Sequence, residues 1–131
     1  MFLDASAIIA ILTRESDGPA LAARVGQTER TYLSPIAIYE AVMGLARVGN
    51  LAVVDAEIAL DRFIAETSAE IIPISPEIGR RAIRAFERFG RGRHPARLNM
   101  GDCFAYACAE DLGLPLLFKG EDFPQTDIGV A

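Results

Sequence analysis

The chain has 131 residues, 51% of them apolar and 24% charged, with 13 Lys and Arg against 18 Asp and Glu for a net charge of −5. High apolar content with little charge per residue excludes a disordered chain, and a domain of this size removes roughly 65–70% of its unfolded surface from water without disulfides or a structural metal. The longest nearly apolar run, Ala5 to Leu12, is far shorter than the roughly 18 residues a membrane span requires, so no membrane association is expected.

Met1-Phe2-Leu3-Asp4 reads as a short buried strand closed by an acid, and Ser6 is placed to cap a helix carrying Ile8, Ile9, Ile11 and Leu12. A second helix is predicted from Gly18 to Val25, a strand from Thr31 to Ser34, and a helix that starts at Pro35 and ends near Gly49. Residues 55–68 predict another helix, with Ile58, Leu60 and Phe63 among its apolar positions, and Glu70 to Ile74 a third strand. Ser75-Pro76-Glu77 opens a further helix, one more runs from about Gly101 to Gly113, and Leu114 to Phe118 is a fourth strand. Strands alternating with helices predict an α/β fold with a parallel sheet covered on both faces. No repeat, low-complexity tract or linker breaks residues 1–131, which read as a single domain.

The two cysteines, Cys103 and Cys108, sit about 140° apart around a helix, a poor arrangement for a disulfide or a metal pair. Asp4 occupies the place where a secretory signal carries basic residues, and a cytoplasmic location is expected.

Charge is unevenly distributed. Seven of the 13 basic residues lie between Arg80 and Arg97 with one acid, Glu87, among them, so the rest of the chain carries 17 acids and six bases. On a helix from Pro76, positions 80, 84, 88 and 91 fall within about an 80° sector, with Ile78, Ala82, Phe86 and Phe89 opposite. Such a face is ordinarily a solvated one, but it continues into Gly90-Arg91-Gly92-Arg93-His94-Pro95. A Gly/Arg-rich loop leaving a basic helix suits a phosphate backbone, and Arg88, Arg91, Arg93, His94 and Arg97 are the candidate nucleic-acid contacts.

Ligands of an open α/β sheet bind beyond the carboxyl ends of its strands. Four acids are delivered there: Asp4 after the first strand, Glu40 in the second turn of the helix after the second strand, Asp102 at the start of the helix before the fourth, and Asp122 beyond the fourth. Each alone has an ordinary role as a cap, a turn residue or a solvated helix residue. Glu40 has Ala37 and Gly44 as its neighbours at −3 and +4, which predicts room for a ligand beside it. Carboxylates gathered at one edge repel and call for a cation. With His94 the only histidine, an all-oxygen site suits Mg²⁺, with Mn²⁺ as a substitute, better than zinc. Acids, a hard metal and a basic strip together point to hydrolysis of a nucleic-acid strand.

Over essentially its whole length the sequence resembles the PIN-domain ribonucleases, and among them the VapC toxins of bacterial type II toxin–antitoxin pairs. The resemblance is carried by Leu3-Asp4-Ala5-Ser6-Ala7, by Glu40 in Ile38-Tyr39-Glu40-Ala41, and by the Gly90 to Pro95 loop. Its most specific carriers are Asn99-Met100-Gly101-Asp102-Cys103 and Phe118-Lys119-Gly120-Glu121-Asp122-Phe123. It implies a three-layer sandwich with a central, mainly parallel sheet of four or five strands. It also implies an acidic active site of Asp4, Glu40, Asp102 and Asp122, with Asp4, Asp102 and Asp122 as metal ligands and Ser6 and Asn99 as hydrogen-bonding support. Phe118 and Gly120 stand where many relatives carry a hydroxyl or a further acid, which leaves Glu121 competing with Asp122 for the fourth corner. An RNA substrate, a homodimer and a VapB-type antitoxin are the further implications.

Two other readings compete. In a receiver-like signalling module, Leu51 to Asp55 would be a strand ending in a phosphoacceptor, with Lys119 as its lysine; that module also wants an adjacent acidic pair after the first strand, where Asp4 stands alone. The other is a PIN fold that binds RNA or a partner without cutting.

Overall fold

The computed structural model describes residues 1–131. The order is β1 (Phe2–Leu3), α1 (Ala5–Leu12), α2 (Gly18–Gln27), β2 (Tyr32–Leu33), α3 (Pro35–Val48), α4 (Val53–Thr67), β3 (Glu70–Ile71), α5 (Pro76–Phe89), α6 (Met100–Leu112) and β4 (Leu116–Leu117), followed by a 3₁₀ turn, Phe123–Gln125. The sheet runs β3-β2-β1-β4 and every pairing is parallel, with Phe2 opposite Tyr32 and Leu116, and Tyr32 opposite Glu70. Four strands are therefore present, and Val130 bridges to Leu116 at the outer edge where a fifth would lie.

Successive residues of a strand face opposite ways, and β1 uses this to divide the interior. Leu3 points into a core with Ile8, Leu33, Leu45, Leu60 and Leu117, closed by α1 to α4. Phe2 points into a second core with Phe89, Leu98, Cys108 and Leu116, closed by α5 and α6. Helices on both faces of one sheet make the expected three-layer sandwich.

The helices begin where the capping residues stand. Ser34 accepts from the Ala37 N–H at 3.2 Å and Ser75 from the Ile78 N–H at 3.1 Å, each with proline in the next position. Gly113 ends α6 in the left-handed conformation. Three expectations need correction. Each strand pairs over two residues only, and β3 stops before Pro73, which has no N–H to give to a ladder. The helix expected at 55–68 begins at Val53, so Asp55 lies in its first turn. Finally, α1 begins at Ala5, and its cap is Asp4 rather than Ser6.

Candidate active site

Asp4 is the first residue beyond β1, and its N–H donates to the Leu117 carbonyl at 2.9 Å, which fixes it at the carboxyl edge of the sheet. It is 4% exposed. The turn into α1 is immediate, so Asp4 Oδ2 accepts from the Ser6 N–H at 2.9 Å and from the Ser6 hydroxyl. Ser6 Oγ in turn accepts from the Lys119 N–H at 3.0 Å, tying the segment after β4 to this corner.

Asp102 enters from the helix on the other face. Asn99 caps α6, and Asp102 is the third residue of the helix rather than its start. The two hold each other: Asn99 Oδ1 accepts from the Asp102 N–H at 3.0 Å, and Asp102 Oδ2 from the Asn99 N–H at 2.8 Å. Glu40, from α3, lays its carboxylate over the bare Cα of Gly101, where an added Cβ would fall 2.0 Å from both carboxylate oxygens. Asp4, Glu40 and Asp102, with Ser6 and Asn99, line one cleft of about 480 Å³.

These acids disturb one another. Burial pushes the Asp4 carboxyl up against the pull of its bonds from Ser6. Burial, then the charges of Asp4 and Asp102, push Glu40 up to about 7. Asp102 is pushed up to about 6, chiefly by burial; Asp4 and Asp122 add to the rise, while the Asn99 N–H and the Arg91 guanidinium oppose it. Asp122 thus lies within electrostatic reach of Asp102, but it is exposed at the head of the 3₁₀ turn and outside the wall of the cleft. Glu121 lines a different groove with Asp17, Arg24 and Lys119.

No three acidic, histidine or cysteine side chains stand together as a closed ligand set. The donor chemistry nonetheless fits a hard divalent cation: three half-buried or buried carboxylates share a cleft, Asp4 and Asp102 raise the proton affinity of Glu40, and Asp4 raises that of Asp102. A cation there removes that repulsion.

A family model for the PIN domain matches residues 1–129. The chain belongs to the PIN-domain family. Within that family it is 39% identical to a VapC ribonuclease of Rhizobium meliloti, with 98% of this chain and 99% of the relative aligned. It is 37% identical to ribonuclease VapC of Mycolicibacterium smegmatis, over 98% and 97% of the two chains. Among solved structures, VapC20 of Mycobacterium tuberculosis, a toxin that cleaves the sarcin-ricin loop, superposes with a TM-score of 0.78 over 99% of this chain and 97% of that one, at 14% identity. A toxin–antitoxin complex from Klebsiella pneumoniae gives a TM-score of 0.70 at 18% identity, covering 99% and 95%. Those two likenesses establish the PIN fold, which is the fold expected.

In this PIN domain the basic strip is divided. Arg80 and Arg84 bind Glu77 at 3.1 and 3.0 Å, Arg81 binds Glu110 and Asp111 at 3.1 Å each, and Arg88 binds Asp127 at 2.7 Å. Asp127 also accepts from the Tyr106 hydroxyl at 2.6 Å, so Arg88, expected among the RNA contacts, is paired with a carboxylate that ties down the C-terminal segment. Arg91, Arg93 and Arg97 have no carboxylate partner; they share a loop closed by Arg91 N–H to Leu98 O and Leu98 N–H to Phe89 O, both 3.0 Å. Gly92, at φ +82°, makes the turn. His94 braces the loop: its Nδ1 accepts from the Ala96 N–H at 3.1 Å and its ring stands edge-on to Phe89, with centroids 5.2 Å apart.

Gly44 lines the cleft beside Glu40, and the place of its missing side chain is taken by Ile9 of α1: a Cβ on Gly44 would lie 2.2 Å from Ile9 Cδ1. Two residues at the site, one in the cleft wall and one beneath Glu40, are given no role by the sequence reading. Arg47 lines the cleft seven positions after Glu40, on the same face of α3, and that spacing was the available signal. Gly101 had no such signal, because its contact depends on how closely α6 approaches α3. The receiver-like reading fails on geometry. Asp55 lies in a helix and the Lys119 ammonium pairs with Glu15 and Asp17.

Proposed function

We propose that residues 1–131 act as a single PIN domain, the Mg²⁺-dependent endoribonuclease toxin of a type II toxin–antitoxin pair. The observation that carries this reading is the meeting of Asp4, Glu40 and Asp102 in one cleft, where the charges of Asp4 and Asp102 raise the proton affinity of Glu40. The kinship with VapC ribonucleases supports RNA as the substrate.

Asp4 and Asp102 would hold the ion from within the cleft, Asp102 through Oδ1 because Oδ2 is taken by the cap, with Asp122, outside the cleft wall, as the third ligand. A hard divalent cation there lowers the pKa of a water and offsets the charge that develops on the phosphate; Mn²⁺ serves the same oxygen donors. Ser6 and Asn99 orient Asp4 and Asp102. Glu40, bound by no protein donor, accepts the proton of the attacking water. The strand is held by Arg47 in the cleft wall and by the loop of Arg91, Arg93 and Arg97, whose Arg91 lies within electrostatic reach of Asp102, with His94 holding that loop in shape.

The antitoxin partner is supported by the Klebsiella complex, which shares this fold. Tyr39 and Met43, exposed on α3, line the acid cleft, and α4, which packs against α3, exposes Val53, Val54 and Ile58; a VapB-type segment seated on Tyr39 and Met43 covers the site. The groove of about 550 Å³ between α5 and α6 supports a homodimer, since Ile83 at 70% and Met100 at 66% exposure flank an almost wholly apolar wall. No helix is long and apolar enough to cross a membrane. A cytoplasmic location goes with this reading, since it takes RNA and an antitoxin as partners.

The test is cleavage of a mixed RNA pool by purified protein with Mg²⁺, with EDTA, and by Asp4→Asn protein with Mg²⁺. Cleavage is expected from the wild type with metal alone. A folded, Mg²⁺-binding wild type that binds RNA and leaves it intact would replace this reading with the non-cutting one.

A further inference from the structure

We propose that Gly101 is a positioning residue whose missing side chain is the seat of the Glu40 carboxylate. This deepens the reading of the acid cleft as the RNA-cleaving site and rests on it.

Three observations meet at this position. An ideal Cβ on Gly101 would lie 2.0 Å from both Glu40 carboxylate oxygens and 2.2 Å from the Glu40 carboxyl carbon, far inside any real contact distance. Nothing else holds that carboxylate: no protein hydrogen bond or cation is among the influences on it, and its charged neighbours, Asp4 and Asp102, repel it. The helix itself gives no reason for glycine. Gly101 is the second residue of α6 and lies outside the left-handed region, so alanine fits the backbone there and is the better helix former.

The clash is with the far end of a flexible side chain, so the helix can keep its place while Glu40 gives way. A methyl group at position 101 therefore displaces the carboxylate and leaves the Asn99–Asp102 cap intact. Gly101 acts through Glu40 and touches no reacting atom.

The experiment is a double-mutant cycle of Gly101→Ala and Glu40→Ala in the full chain, read by RNA cleavage, by Mn²⁺ binding from electron paramagnetic resonance, and by thermal unfolding. Gly101→Ala is expected to keep or raise the Tm while lowering cleavage by roughly tenfold or more, as displacement of a positioned proton acceptor does, and to change Mn²⁺ affinity far less because Glu40 is not among the residues that hold the ion. In the Glu40→Ala background the same substitution is expected to change neither. An equal loss in both backgrounds, or wild-type behaviour of Gly101→Ala, overturns the proposal, and so does unfolding in both backgrounds. The ¹³C carboxyl resonance of Glu40 in metal-free protein separates this result from failure of the cleavage reading. Displacement by Gly101→Ala moves that resonance whether or not RNA is cut, and an unmoved resonance overturns the seat.

Discussion

Asn99 and Asp102 each accept a hydrogen bond from the other's backbone N–H, at 3.0 and 2.8 Å. A helix cap and a metal-ligand orientation are thereby the same structure. Asn99→Ala removes the acceptor for the Asp102 N–H, and the expected cost is about 1 kcal/mol of stability together with roughly tenfold weaker Mn²⁺ binding. Asn99→Ser, which restores an N-cap oxygen, is expected to recover most of the stability in chemical denaturation. Equal losses from both variants would separate the cap from the site.

Asp102→Asn keeps an oxygen that can accept from the Asn99 N–H and removes one of the charges pressing on Glu40. Metal-dependent cleavage is expected to disappear while the denaturation midpoint stays close to wild type. Activity surviving in the purified variant would take Asp102 out of the mechanism.

Metal-free protein is expected to lose stability as pH rises. Glu40 and Asp102 start from 4.5 and 3.8 and are pushed up to about 7 and about 6 in the fold, with Asp4 moved in the same direction. Across that window the folded chain keeps protons that the unfolded chain has released, so their contribution is full below about pH 4 and lost by about pH 7. Glu15, Glu77 and Asp127 are held low, first by bonds from Lys119, Arg80 and Tyr106 respectively, and act oppositely, weakening the fold on strong acidification. Differential scanning at pH 5 and pH 7.5 should show a lower Tm at the higher pH, restored by Mg²⁺. A Tm that rises between these values without metal would contradict the electrostatic account of the cleft.

Arg91 and Arg93 are free of carboxylates, whereas Arg80 and Arg84 are both bound to Glu77. Arg91→Ala with Arg93→Ala is expected to weaken RNA binding and to flatten the slope of log K against log salt by roughly 1.4, two single-strand phosphate contacts. The Arg80→Ala, Arg84→Ala pair should leave the slope nearly unchanged. Identical slopes for the two pairs would return the loop to an ordinary solvated surface.

Ile83 projects from α5 into solvent beside the apolar groove. If two copies meet there, Ile83→Glu buries a charge in the interface, and light scattering should show a monomer where the wild type is a dimer. A variant that keeps the wild-type mass would move the interface elsewhere.

The elements were legible wherever a local signal sets them. Ser34-Pro35 and Ser75-Pro76 start helices because a hydroxyl and a fixed φ act within one turn, and Gly113 stops one for the same short-range reason. Asp4, Glu40 and Asp102 were legible as candidates for one sheet edge from their places at a strand end and near helix starts, whereas Asp122 stands outside the cleft that these three line. Strand length was not legible, since pairing over only two residues depends on where the neighbouring strands end.

The sequence by itself determined the α/β alternation, the family, and the acids and arginines available for chemistry, all of which follow from type and spacing along the chain. Only the tertiary structure decided which of these groups meet. Arg88 was lost to Asp127, 39 residues away; Arg81 was lost to Glu110, 29 residues away; and Glu40 came to rest on Gly101 from a different helix. Charge pairing and van der Waals clearance act over a few ångströms in space, and a linear chain records such distances only where a helical turn or a cap keeps the partners adjacent.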